Sequence, residues 1–177
     1  SSSSEKNEIL LLSNKMDRSY WESFFPYNKI YVCGYLKYDQ PWKDKIFNNI
    51  SNKENKHNVA TLEGKKIILV SYNGFKKTYY KNSYINQINT LMNLCNEIDN
   101  IHIVFKLHPF TERSLFFKII NKFPKKYWSI TENHLLYEAK KCDIFISFFS
   151  AASSLDALAV GKIPIELWKV HPKTSNF

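Results

Sequence analysis

The sequence predicts an α/β fold, a parallel sheet with helices on both faces, and three observations lead there. Short apolar runs alternate with amphipathic or polar stretches from Gly64 onward. The runs are apolar at nearly every position, as strands buried on both faces require, whereas half-exposed strands alternate. Two of them lead into loops that pass directly into helices, the connection from which crossover units are built.

In chain order, residues 9–12 and 30–32 read as strands, separated by the aromatic segment Tyr20 to Phe25 that stops at Pro26. Two strands with little between them make a fragment of a sheet. Residues 44–58 are polar and rich in Asn and Lys, which reads as a helix end followed by a linker. The expected boundary lies there, with residues 1–58 closing one domain and residues 59–177 forming a second, ligand-binding one. In the second, residues 67–70 are a fully apolar strand. Tyr84, Ile88, Leu91, Cys95 and Ile98 then recur every three or four residues, so residues 80–98 predict a helix that buries this stripe. Strand 101–106 leads into His108-Pro109, and helix 112–123 stops before Pro124. Strand 127–130, helix 134–141, strand 143–147, helix 153–160 and strand 163–167 complete five strands. Ligands of such sheets bind outside the carboxyl ends of the strands.

Composition narrows the function classes. Hydrophobic residues at 44% exclude a disordered chain, and no apolar run approaches the roughly eighteen residues of a membrane span. Ser1 to Ser4 with Glu5 and Lys6 lack the basic start and apolar core of a secretory signal, and read as a cloning remnant or linker. Cys33, Cys95 and Cys142 are odd in number and far apart, which favours a reducing cytoplasm over a disulfide framework. The charge of +9 is nearly all lysine, and together with abundant Asn and Ile it reads as a compositional bias. No arginine-rich stripe marks a specific nucleic-acid surface.

Two loops carry the candidate chemistry. In Lys106-Leu107-His108-Pro109 the proline holds the histidine in an extended backbone, so His108 is placed to donate to a phosphate oxygen with Lys106 charged nearby. The competing reading is a turn histidine that caps the next helix. In Ser147-Phe148-Phe149-Ser150-Ala151-Ala152-Ser153-Ser154 an apolar strand runs through small hydroxyl residues into a helix, whose amides and dipole favour an anion. Ser150, Ser153 and Ser154 are the candidate donors there; an ordinary serine N-cap is the alternative. Glu166 and Glu132 are candidates for ribose or base. His57 reads as a solvated linker residue, His102 as a satisfied strand histidine, His134 as a helix cap and Asp156 as a complement to a helix dipole. With 4 glycines and neither a dinucleotide fingerprint nor a P-loop, NAD and ATP are poor ligands; no cofactor and no metal are expected.

Lys106-Leu107-His108-Pro109, Ser150 to Ser154, and the run from Cys142 to Ser147 continued by Leu155 to Glu166 with its Gly161-Lys162-Ile163-Pro164-Ile165 segment resemble the carboxyl-terminal half of GT-B glycosyltransferases. The likeness covers about residues 65–167 and is nearest to capsule and lipopolysaccharide sialyl- and Kdo-transferases and to CDP-glycerol glycerophosphotransferases. Val32 to Asp39 is similar to the last strand and turn of the amino-terminal half of these enzymes. The resemblance implies a Rossmann-like donor domain that binds a nucleotide-activated sugar, with His108 and Ser153 or Ser154 on the phosphates and Ser150 beside them. It also implies a glycan or lipid-linked acceptor, and at most peripheral contact with the inner membrane. The family keeps its catalytic acid or base mainly in the amino-terminal half. No catalytic residue is therefore assigned, and the chain, lacking the closing helices as well, is expected to be a fragment inactive by itself. A UDP-sugar 2-epimerase-like enzyme and a basic polyanion-binding module are the alternatives.

Overall fold

The computed structural model describes residues 9–24, 29–51, 62, 64–72, 81–109, 111–148 and 151–167. The chain divides into two compact units, Ser1–Lys45 and Ile46–Phe177. In the first, strands β1 (Ile9–Leu12) and β2 (Lys29–Val32) pair in parallel from Ile9↔Lys29 to Leu12↔Val32. The aromatic segment between them, to which the sequence assigned no element, contributes most of helix α1 (Arg18–Phe24). Its start is fixed by Asn14 Oδ1, which accepts from the Asp17 amide at 3.0 Å, and Tyr20 and Phe24, one turn apart, bring their rings to 5.0 Å.

Helix α2 (Gln40–Ser51) contains the division between the units. The division thus falls earlier than residue 58, because Ile46 is buried and the Phe47 ring lies 6.4 Å from Tyr137 of the second unit. Most of the expected linker, from residue 52 to 58, lies outside the described residues.

The second unit alternates β3 (Lys66–Tyr72), α3 (Lys81–Glu97), β4 (Ile101–Leu107), α4 (Arg113–Ile120), β5 (Trp128–Ile130), α5 (Leu135–Lys141), β6 (Ile144–Phe148), α6 (Ala151–Leu158) and β7 (Pro164–Leu167). All five strands are parallel, in the order β5-β4-β3-β6-β7. The chain therefore builds outward from β3 to β5, then returns to the other side of β3. That reversal is the switch point at which Rossmann-like sheets open a crevice for ligands.

Both faces of the sheet are covered, which explains the unbroken apolar runs. On one face Val70, Tyr72, Ile103, Phe105, Ile146 and Phe148 pack with Tyr84, Ile88 and Met92 of α3 and Phe116 and Ile120 of α4. Each fully buried phenylalanine contributes about 1.5–3 kcal/mol. On the other face Leu69, Val104 and Phe145 meet Ala139 of α5, Cys142 and Ala157 of α6. The α3 stripe is buried at Tyr84, Ile88, Leu91 and Cys95, but Ile98 is exposed, because the helix ends at Glu97 and its periodicity ends with it.

Three strands extend past the predicted ends: β3 to Tyr72, β4 to Leu107 and β6 to Phe148. After α6, Gly161 adopts φ 77°, and Lys162 donates to the Ala157 carbonyl at 2.9 Å. A glycine closes this helix because a Cβ disfavours the left-handed conformation, and the chain then turns directly into β7.

Candidate functional site

Near the carboxyl rim, the penultimate residue of each of β3, β4, β6 and β7 is polar. Register pairs Lys106 with Ser71, Ser71 with Ser147 and Ser147 with Glu166. Four consecutive strands, β4-β3-β6-β7, thus set a polar row across the sheet at one level, on the α5/α6 face that Leu69, Val104 and Phe145 occupy one step earlier. Ser71 and Ser147 are buried, Lys106 and Glu166 half-buried. At about 4.8 Å per strand the row spans roughly 14 Å, with an ammonium at one end and a carboxylate at the other.

His108 follows β4 directly. Its amide donates to the Tyr72 carbonyl at 2.9 Å, so the chain is still tied to β3 as it leaves the strand. Its carbonyl accepts from the Thr111 amide at 2.9 Å, closing a turn that Thr111 Oγ1 fastens to the same Tyr72 carbonyl at 3.4 Å. His108 is half-buried and Pro109 exposed. The N-cap position of α4 is Glu112, so His108 stands outside the helix it was expected to cap on the structural reading.

Burial pushes the Lys106 ammonium below the usual lysine range; Glu132 and Glu138 oppose that shift and Arg113 adds to it. Glu138 accepts from Thr131 Oγ1 at 2.8 Å and from Asn133 Nδ2 at 2.6 Å, while exposed Glu132 pairs with Arg113 at 3.0 Å. The two carboxylates thus offset only part of the burial that disfavours the Lys106 ammonium.

On the other side of β3, α6 begins at Ala151, which places Ser153 and Ser154 inside its first turn and both buried. The positive end of its dipole faces this rim. Ser150 lies outside the described residues. Ser154 departs from the expectation of a phosphate donor: its hydroxyl donates to Glu166 Oε1 and lies 3.0 Å from Ser147 Oγ. A hydroxyl has one proton, and the one on Ser154 is committed to the carboxylate.

The structure brings the His108 turn and the α6 start to the same rim, on either side of β3 and about 10 Å apart by strand spacing. It does not bring Glu132 and Glu166 together. They belong to opposite edges of the sheet, separated by four strand spacings or about 19 Å, far more than one ribose spans. His134 caps α5, with Nδ1 accepting from the Leu136 amide at 3.3 Å. His102 is satisfied within the fold by the Lys126 carbonyl at 3.2 Å and Ser129 Oγ at 3.0 Å. Asp156, read as a complement to the helix dipole, is buried in the second turn of α6. Ser71 and Ser147, which complete the polar row, were not singled out from the sequence; the signal available was a hydroxyl one residue before the end of a largely apolar strand.

Among the described residues no group of three His, Cys, Asp or Glu side chains is disposed to hold a metal ion, and no helix is long and apolar enough to cross a membrane. The three cysteines are free, Cys33 exposed and Cys95 and Cys142 buried.

The sequence matches no protein-family model and no curated protein. Solved structures do match. One is S. aureus MnaA in a co-structure with UDP, at a TM-score of 0.52 and 18% identity over 67% of this chain. The match covers 33% of that protein, so this chain spans about a third of its length. At that identity the likeness is one of fold: the chain has the Rossmann-like architecture of a protein solved with a nucleoside diphosphate.

Proposed function

We propose that residues 59–177 form the nucleotide-sugar-binding half of a glycosyltransferase that takes a CMP- or CDP-linked donor for bacterial surface polysaccharide synthesis. One observation carries the proposal: the His108 turn and the serine-rich start of α6 flank the central strand at the switch point, at one rim of the sheet. The fold shared with a protein solved with UDP supports a pyrimidine nucleotide as the ligand. Lys106 and His108, with Pro109 holding the His108 backbone, would receive the phosphates from the β4 side, and Ser150, Ser153 and the α6 dipole from the β6 side. Glu166, at the far end of the polar row, would accept from ribose hydroxyls. Glu132 would border the β5 edge of the cleft, away from the ribose. The glycan or lipid-linked acceptor would approach from the facing half, which is also where we assign the catalytic acid or base. Such an enzyme works in the cytoplasm, at most peripheral to the inner membrane face.

A UDP-sugar 2-epimerase-like enzyme is the second reading, favoured by the UDP in the matched structure. Thermal-shift titration with CMP, CDP, UDP and GDP separates the two. A ligand at a hundred times its Kd stabilises by about 2.7 kcal/mol, enough to move a melting curve visibly. The largest shift is expected with a cytidine nucleotide. UDP alone shifting the curve would favour the epimerase-like reading. Equal shifts with every polyanion, abolished by salt, would indicate a non-specific basic module and refute both.

A further inference from the structure

We propose that Ser147 and Ser154 form a hydroxyl relay that positions Glu166 to accept hydrogen bonds from the ribose of a bound nucleotide, so that two buried serines set the discrimination against 2′-deoxynucleotides. The inference rests on the nucleotide-binding reading above and deepens it.

Ser147 lies one residue before the end of β6, directly across from Glu166 in the β6/β7 register, and is fully buried. Its Oγ is 3.0 Å from Ser154 Oγ, and Ser154 donates to Glu166 Oε1. Since the Ser154 proton goes to the carboxylate, the bond between the serines takes its proton from Ser147. The relay therefore runs in one direction, from the sheet interior through α6 to β7. Hydrogen bonds in such a buried series polarise one another, which strengthens the last bond, the one to the carboxylate.

Three elements are joined by this relay. Ser154 sits in the first turn of α6, and Gly161, with its positive φ, lets the chain leave α6 and enter β7 within a few residues. Glu166 is consequently held by its own strand and by a helix whose start lies at the candidate phosphate site. A carboxylate offers about four acceptor positions, and the relay takes one, on Oε1. The rest of this half-buried group can still receive the two hydroxyls of a vicinal diol. Ser147 and Ser154 thus act on the ligand through Glu166 as positioning residues.

Calorimetry on the full chain with CDP, UDP and their 2′-deoxy counterparts tests the relay. The wild-type chain is expected to bind the ribonucleotide roughly tenfold more tightly than the deoxynucleotide, the scale of one hydrogen bond to a charged acceptor. Ser154→Ala should collapse that ratio to near one while leaving the deoxynucleotide affinity unchanged, and Ser154→Thr, which returns the hydroxyl, should restore it. Ser147→Ala should lower the ratio by a smaller factor, and it decides the question if Ser154→Ala melts below the assay temperature. A ratio unchanged in these alanine variants overturns the relay and leaves nucleotide binding standing. A ratio near one in the wild type overturns the role of Glu166 and the relay with it. Failure of the wild type to bind any of the four overturns both the relay and the proposed function.

Discussion

Lys106 and His108 owe their positions to β4, the strand beside the central one, and their chemistry follows from where that strand ends. Lys106 is the last side chain of β4 on the α5/α6 face; His108 comes two residues later, its backbone pinned to Tyr72. If His108 donates to a phosphate, His108→Ala should weaken CDP or UDP binding roughly tenfold, the cost of one charge-assisted hydrogen bond. The backbone bonds by which His108 ties the turn to Tyr72 and Thr111 are retained in this variant. Unchanged affinity by calorimetry would remove His108 from the site. This part was legible in the sequence because the information is local: a strand, a histidine, a proline. The Lys106-Ser71-Ser147-Glu166 row was not. It arises from register between strands far apart in the chain, and a single serine at a strand end carries no mark of its partners. For the same reason nothing in the sequence showed that Glu132, which follows β5, and Glu166, within β7, belong to opposite edges of the sheet.

Element by element, buried runs and helical stripes were readable, and their ends were not. The α3 stripe held to Cys95 because the 3.6-residue period reports the core directly, whereas Ile98 fell beyond the final turn. Helix α1 was missed because aromatic residues give no helical period over seven positions; its formation depends on Asn14 and on ring contacts between successive turns. His102 shows an element held together by a titratable group. Its Nδ1 faces the Lys126 carbonyl, which can only accept, so Nδ1 carries the proton and Nε2 accepts from Ser129. Burial pushes this imidazole below the usual histidine range, more than the bond to the carbonyl raises it. The unfolded chain therefore takes up a proton first, so stability present above about pH 6.5 is lost as pH falls through the depressed folded value. Urea midpoints of the wild type should drop as pH falls below about 6.5, and those of His102→Gln should drop less. Parallel curves would show that another group controls the acid response. Asp143 contributes in a lower window: the Ile67 amide at 2.7 Å holds its carboxyl below the ordinary range, so its share persists until more acidic conditions.

For the molecule as a whole, the parallel sheet was predictable from alternation, but its order was not. Nothing in the apolar runs says that β3 lies at the centre and that β6 returns to its far side. That reversal sets two loops from separate parts of the chain on either side of β3 at one rim of the sheet, and the proposed function depends on it. The charge of +9 is a poorer guide, since it is spread through the chain as lysine and would draw any polyanion to the surface. A structure determined with CDP or UDP bound at saturating concentration tests the central claim most directly. The account predicts the phosphates at the carboxyl rim, between the His108 turn and the first turn of α6, with the ribose toward Glu166. Phosphates at the opposite rim, or a nucleotide held by surface lysines away from β3, would contradict it.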